Sequence, residues 1–442
     1  MKNRLRPDVG RAAQLAYATV AIFCILEPEP ARAVPSFARQ TGEPCAACHV
    51  GAFGPQLTQH GREFKLNGYV WNDGGDHIPL AAMVQTSITH TDTDQPGPAP
   101  HFGPNDHVAI DQASLFLAGR LTDNVGAFIQ TTYDGIARGL TWDNLDIRYA
   151  DTAMLGGTRL LYGATINNNP TVQDAWNSTP GWGFPFALSG LAPTPAAATL
   201  IDGSLAQKVV GAGGYALWNN LIYVEADLYK GLGRDVRNAL GVVPVSGSNS
   251  IDGVIPYWRV ALQRNFGDHY LEIGSFGLSG GSFPGGDRSV GRSDHFTDVA
   301  LDATYLYSGD PDNIVTGYVT YIHEHQALDS SSALLGSNGS DALVTFRFNG
   351  SYSYQNTFTF SGQRFQTRGS ADGALYPGNG SPNSAGWIAE IAYVPGGKLD
   401  SWFPTWINAR LSLQYTAYTE FNGTAANAAN ANSLYALMWL AF

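Results

Sequence analysis

The chain has 442 residues and a formal net charge of −12, and only 14% of its residues are charged. That acidic balance argues against nucleic acid as a partner and suits small cations or basic proteins. No apolar run beyond the first 33 residues approaches the ~20 needed for a membrane helix, so a secreted all-β protein and a transmembrane β-barrel remain.

The N-terminus reads as an export signal. Lys2, Arg4, Arg6 and Arg11 form a basic start, "AAQLAYATVAIFCIL" an apolar stretch, and "ARA" at 31–33 a cleavage site. Residues 1–33 are therefore expected to be removed, and Cys24 with them, because Phe23 rules out a lipobox. The removed segment carries five basic and three acidic residues, which leaves a mature chain of about 410 residues with a charge near −14.

Residues 34–79 follow as a short segment of their own, and its "CAACH" holds the chain's remaining cysteines, Cys45 and Cys48, directly before His49. C-x-x-C-H is the spacing of c-type haem attachment: two thiols add to the vinyl groups on one porphyrin edge, and the adjacent imidazole reaches the iron. One covalently attached haem c is expected, with Cys45 and Cys48 as thioether sites and His49 as proximal ligand. A zinc site would need a fourth ligand and usually a second cysteine pair, and a thioredoxin-like pair would need a βαβ setting. "GPQLTQHGREFKLNG" predicts a short helix with Pro55 early and Gly68 as its stop. Leu57, His60 or Gly61, and Phe64 share the face expected to meet the porphyrin. Arg62 and Lys65 are candidates to pair with the propionates, against the reading that they are solvated helix charges. About 45 residues cannot enclose a haem alone, so the segment must borrow a wall.

From residue 80 onward the chain repeats segments of alternating residues separated by turns. About sixteen strands are expected, at 80–91, 108–121, 125–134, 142–150, 158–166, 206–217, 221–230, 255–265, 268–277, 296–307, 314–326, 341–354, 357–368, 386–394, 405–419 and 432–442. Short turns such as "NN" at 219–220 and "GD" at 267–268 alternate with long Gly/Pro/Ser/Asn loops such as 92–107, 167–205 and 369–385. A soluble sandwich has no reason to sort loop lengths by parity. An outer-membrane barrel does, and an even strand number closes the sheet and puts both termini on one, periplasmic, side. The fold expected is an all-β transmembrane, antiparallel barrel of about sixteen strands over 80–442, its lumen plugged by the small helical haem segment.

Two strands carry further information. In "PLAAMVQTSITH", Leu80, Ala82, Val84, Thr86 and Ile88 suit lipid, while Ala81, Met83, Gln85, Ser87 and Thr89 suit a polar lumen. Met83 is thereby a candidate distal iron ligand, with His60 next and His77 and His90 behind. The last strand, "SLYALMWLAF", places Leu434, Ala436, Met438, Leu440 and Phe442 on one face, as in the terminal strand of outer-membrane barrels. Loop acids, including Asp92, Asp94, Asp106, Asp174 and Asp294, are either cation attractors or ordinary turn formers.

"PSFARQTG", C-x-x-C-H and "FGPQLTQHGREFKLNGY", followed by a porin-like remainder, resemble the fused outer-membrane monohaem cytochrome–porins of iron-oxidising bacteria. The resemblance covers the mature chain in layout and is specific over about 35–71; His60 stands where an aromatic is expected. It implies an iron:cytochrome c oxidoreductase-type conduit that oxidises extracellular Fe(II) by outer-sphere transfer. Electrons would pass to a periplasmic c-type cytochrome or cupredoxin. A transport porin with a periplasmic haem-binding appendage, and a soluble haem-bearing β-protein, are the competing readings.

Overall fold

The computed structural model describes residues 35–71, 79–242, 248–376, 378–398, 401–403 and 407–442. The expected export signal and His77 lie outside them.

Alternation of apolar and polar side chains builds one closed antiparallel sheet. Its strands are β1 (Leu80–Thr91), β2 (His107–Arg120), β3 (Val125–Asp134), β4 (Gly139–Leu155), β5 (Thr158–Asn167), β6 (Val209–Trp218) and β7 (Ile222–Gly231). A three-residue β8 (Ser250–Asp252) precedes β9 (Val254–Phe266), β10 (His269–Phe283), β11 (Asp294–Asp310) and β12 (Asn313–Ala327). The sheet finishes with β13 (Ser340–Tyr354), β14 (Phe358–Gly369), β15 (Ser384–Tyr393), β16 (Asn408–Glu420) and β17 (Ser433–Ala441). Leaving out β8, which pairs with Gly281–Phe283 of β10, sixteen strands run round the barrel, each beside its neighbours in the chain. Closure comes where β1 pairs with β17, from Met83 opposite Ala441 to Thr91 opposite Ser433. The terminal Phe442 adds two more bonds, exchanging N–H and carbonyl with Ala82 at 2.8 and 3.1 Å. Closure leaves the sheet without an unpaired edge.

The turns explain the register. Asn219 and Asn220 (φ 57° and 49°) and Gln355 and Asn356 (both φ 52°) form two-residue turns with both central residues left-handed, the geometry that matches strand twist. Short turns gather at the end where β1 begins, long loops at the other. The parity has two exceptions. The β3–β4 connection, 135–138, is short at the long-loop end, because β4 runs further than the residue pattern indicates. The β15–β16 connection, 394–407, is long at the short-turn end.

The barrel is inverted relative to a water-soluble protein. On β7, Glu225 and Asp227 are 5% and 2% exposed, while Val224 and Leu228 beside them are 45% and 60% exposed. β1 and β17 show the expected parity, with Met83, Gln85 and Ser87 inside and Ile88, Leu434 and Met438 outside. No helix among the described residues is long and apolar enough to cross a membrane, which says nothing of strands. Apolar outside and charged inside is the pattern of a barrel solvated by lipid.

Candidate functional site

The N-terminal segment folds as three short helices, α1 (Pro35–Thr41), α2 (Cys45–Cys48) and α3 (Gln59–Leu66). α3 starts later than Pro55 indicates, because Thr58 is its cap: the Thr58 hydroxyl accepts from Gly61 N at 3.2 Å and donates to the Ala47 carbonyl at 2.5 Å. It ends at Asn67, and Gly68 (φ 72°) reverses the chain, as expected of that glycine. Gly61 lets α3 lie directly on the C-x-x-C-H turn: a Cβ there would stand 2.2 Å from the Cys48 carbonyl oxygen. Gly61→Ala should therefore separate the two helices. We expect faster amide exchange over 45–66 with the barrel strands unchanged, and equal exchange in both proteins would contradict it.

The segment is bonded to the inner wall around much of the circumference. Gln56 donates to Thr316, Tyr318 and Ser351 at 2.7–3.2 Å, and Gly51 N donates to Asn356 at 3.2 Å. Asn408 Nδ2 donates to the Ala52 carbonyl at 2.9 Å and to Cys45 Sγ at 3.2 Å. Tyr69 donates to Asp146 at 2.6 Å, and Tyr215 donates to the Leu66 carbonyl at 2.7 Å. These partners lie on β4, β6, β12, β13 and β16 and in the β13–β14 turn, so the segment sits inside the barrel at its short-turn end.

Beside it lies a cavity of about 460 Å³, within the usual range for a ligand pocket. Cys48 and His49 line it, and Phe53, Phe64, Phe116 and Trp439 supply apolar walls. Cys45 and Cys48 are not joined in a disulfide. Burial, with Glu43 nearby, pushes the Cys48 thiol up to about 11, unlike the lowered thiol of a redox-catalytic pair. Burial also brings His49 down to about 4, opposed by the backbone of Gly54, so its imidazole is neutral at physiological pH, as iron ligation requires. Its Nδ1 is buried with no hydrogen-bond partner. No group of three or more His, Cys, Asp or Glu among the described residues could hold a bare metal ion, so a zinc site gains nothing here. Two neighbouring thiols, a neutral histidine with an orphaned ring nitrogen and an apolar-walled cavity fit a thioether-bound haem.

The other candidates separate. Met83 is buried on the inner face of β1 and lines the same cavity, its sulfur accepting from Trp439 Nε1 at 3.1 Å. His60 does not line the cavity; its ring lies 4.1 Å from that of Trp71, while Gly61 and Phe64 take the cavity face. His90 is exposed and 2.7 Å from Asp106 at the long-loop end. Arg62 and Lys65 are buried rather than solvated. Arg62 is buried over the Tyr270 ring at 3.9 Å and donates to the Leu57 carbonyl. Lys65 lines the cavity but spends its ammonium on the carbonyls of Val172 and Asp174, both at 2.7 Å. Burial, then Arg148, lowers Lys65 to about 7. The unfolded chain therefore holds the extra proton between about 7 and the ordinary lysine value, so stability contributed here rises with pH across that window and is lost as pH falls through 7. Exchange protection of α3 should increase from pH 7 to 9 in the wild type and stay flat in Lys65→Met.

The long connection 168–208 stands where an outer loop is expected over 167–205. Its first part turns into the barrel instead. Trp176 is fully buried and donates to Tyr270 at 2.6 Å; Gln173 donates to Asp227 at 3.0 Å; Ser178 donates to Asp302 and accepts at its carbonyl from Thr320. Arg259 of β9 holds the arrangement, 2.7 Å from Asp302, 3.1 Å from Glu272 and 3.8 Å from Asp174. Burial alone would raise Asp174, but Arg259, the Trp176 N–H and Lys65 outweigh it and hold the group below the usual carboxylate range. Asp174 is thus an internal anchor rather than a cation attractor. Asp294 likewise is buried, accepting from Ser330 and Ser331. A signal was present: "AWNSTPGWGFPF" is far richer in aromatics than a solvent loop needs. Asn177, Trp182 and Phe186 of this loop also line the cavity.

No protein-family model matches the chain, and no curated protein matches it. Among solved structures, a loop-deletion variant of OmpT, an outer membrane protein of Vibrio cholerae, is similar at 12% identity over 82% of this chain and 97% of its own, with TM-score 0.43. OmpF of Salmonella typhi, solved with daunomycin, gives 10% over 82% and 97%, TM-score 0.45. An anion-selective porin from Comamonas acidovorans gives 11% over 82% and 98%, TM-score 0.44. The barrel architecture rests on this chain's own strand register, which closes without them.

Proposed function

We propose that the protein is an outer-membrane electron conduit: a barrel whose lumen carries one haem c on Cys45, Cys48 and His49. It would accept electrons from extracellular Fe(II) and deliver them to a periplasmic c-type cytochrome or cupredoxin. The observation that carries this reading is the position of the C-x-x-C-H turn, inside the barrel and on an apolar-walled cavity. Lipid placement follows from the outward apolar face. When bound, the haem iron supplies one-electron redox chemistry; Fe(II) outside loses one electron, and the periplasmic acceptor gains it. The chain's own residues would hold the group and exclude water: the Cys45 and Cys48 thiols would tether it, His49 would ligate it, and the segment with loop 168–208 would shield it within the lumen. No acid, base or nucleophile is needed for outer-sphere transfer.

The barrel architecture alone favours a second reading, a transport porin. In that case the haem segment is an accessory, and the lumen conducts solutes. Two measurements separate the readings. Purified protein in planar bilayers should show little ion conductance, and its ferric haem should be reduced on addition of Fe(II) in stopped flow. Open-pore conductance without reduction would establish the porin instead.

A further inference from the structure

We infer that Met83 supplies the sixth iron ligand from the barrel wall, and that the indole N–H of Trp439 tunes the donor strength of its sulfur. The inference rests on the reading that haem c is carried on Cys45, Cys48 and His49.

It follows from which iron-binding atoms face the cavity. Besides the C-x-x-C-H residues, two side chains lining it carry a suitable nitrogen or sulfur, Lys65 and Met83. The Lys65 nitrogen is occupied by two carbonyls and lies 4.9 Å from the centre of the Trp182 ring. Releasing it would leave both carbonyls buried without their donor. Among the described residues, the two histidines proposed from sequence are elsewhere, His60 against Trp71 and His90 at the far end of β1. Met83 is held by one weak N–H···S contact, and a thioether has a second lone pair for a metal.

The wall also prepares the ligand. β1 is paired on both sides, with Met83 opposite Ser114 of β2 and Ala441 of β17, so its backbone cannot drift. Ala81, Phe116 and Ala118 pack around the side chain. Trp439 also faces inward, packing edge-on against Phe53 of the segment with ring centres 5.1 Å apart. One indole therefore touches both the haem-bearing segment and the ligand sulfur. Donating a hydrogen bond to a metal ligand withdraws electron density from it, which disfavours ferric iron and raises the potential. Methionine opposite histidine acts in the same direction. Both effects would help the centre accept electrons from a weak reductant.

The test uses the full-length, haem-loaded protein in detergent, read by ferric near-infrared absorption, electron paramagnetic resonance and potentiometric titration. Wild type should be six-coordinate and low-spin with a sulfur-to-iron charge-transfer band. Met83→Ala should lose that band and become high-spin, and Met83→His should remain low-spin at a lower potential. Trp439→Phe should keep the band and lower the potential. A band missing from wild type, or retained without Met83, overturns the ligand assignment. An unchanged potential in Trp439→Phe overturns the tuning role. If Met83→Ala does not assemble, the shape-conserving Met83→Leu gives the same reading. Wild type without covalent haem defeats the underlying function instead, so the two failures are distinguishable.

Discussion

Replacing Cys45 and Cys48 together by alanine should abolish covalently held haem while leaving the barrel folded. Thioether bonds survive denaturation, so wild type should keep a haem stain on a denaturing gel and the double variant should lose it completely. Fe(II)-driven reduction should vanish with the stain. The barrel should persist because its closure runs through backbone pairs of β1 and β17. Asn408, which donates to Cys45 Sγ, keeps its bond to the Ala52 carbonyl when the thiol is removed. Migration of the unheated sample as a compact barrel is the control. Stain retained by the double variant would mean that the group is attached elsewhere, and the assignment of this turn would fail.

Arg259→Ala should be the most damaging single change inside the lumen. It strips the cation from Glu272, Asp302 and Asp174, all buried beside it. Breaking a buried charge network by removing one partner costs about 3–5 kcal/mol, since the remaining carboxylates must stay unpaired or take up protons. The cost should fall on the connection 168–208, because Asp174 and Ser178 are its anchors there. We expect a lower melting temperature together with a clear rise in bilayer conductance, as the loop leaves the lumen. Arg259→Lys should recover part of both, limited by the loss of the planar fork. A variant as stable and as closed as wild type would show that the loop is held by its apolar contacts alone, chiefly Trp176 against Tyr223.

Two pieces of chain enter the barrel. The N-terminal segment that carries the C-x-x-C-H turn takes the short-turn end, and loop 168–208 reaches in from the other side. They meet at Lys65, whose ammonium bonds to the loop's carbonyls, and at Asn177, which accepts from Leu57 N at 3.0 Å and donates to the Pro55 carbonyl at 2.8 Å. The cavity lies between them. An appendage outside the barrel would make none of these bonds, which is why the conduit reading is preferred here to a porin with a detached haem segment.

Much of the barrel was legible from residue order. Strand alternation has a period of two set by backbone geometry, and lipid outside with polar lumen inside makes the pattern visible without alignment. Hence the expected strand 80–91 coincides with β1, and the parity that turned Met83 inward holds. The C-x-x-C-H spacing could be recognised for a different reason: the chemistry proposed for it is local, with all its residues within five positions. Strand ends were less so, as β4 extends to Gly139–Leu155 where 142–150 was expected, because pairing with β3 and β5 prolongs it beyond its own pattern.

Arg62, Lys65 and Asp174 show where that legibility stops. A charged residue on a short helix or in a loop looks solvated in one dimension, and nothing nearby in the chain reveals a wall. Their partners, Tyr270, Val172 and Arg259, are about 85 to more than 200 residues away in the chain. By itself the sequence determined the barrel, its inside and outside, and the residues able to tether one haem. Only the tertiary structure decided that the Cys45–His49 turn lies within the lumen, that loop 168–208 joins it there, and that Met83 rather than His60 faces the cavity. Periodicity is a property of neighbours in the chain, while burial of a charge or a ligand is decided by whatever distant strand closes over it.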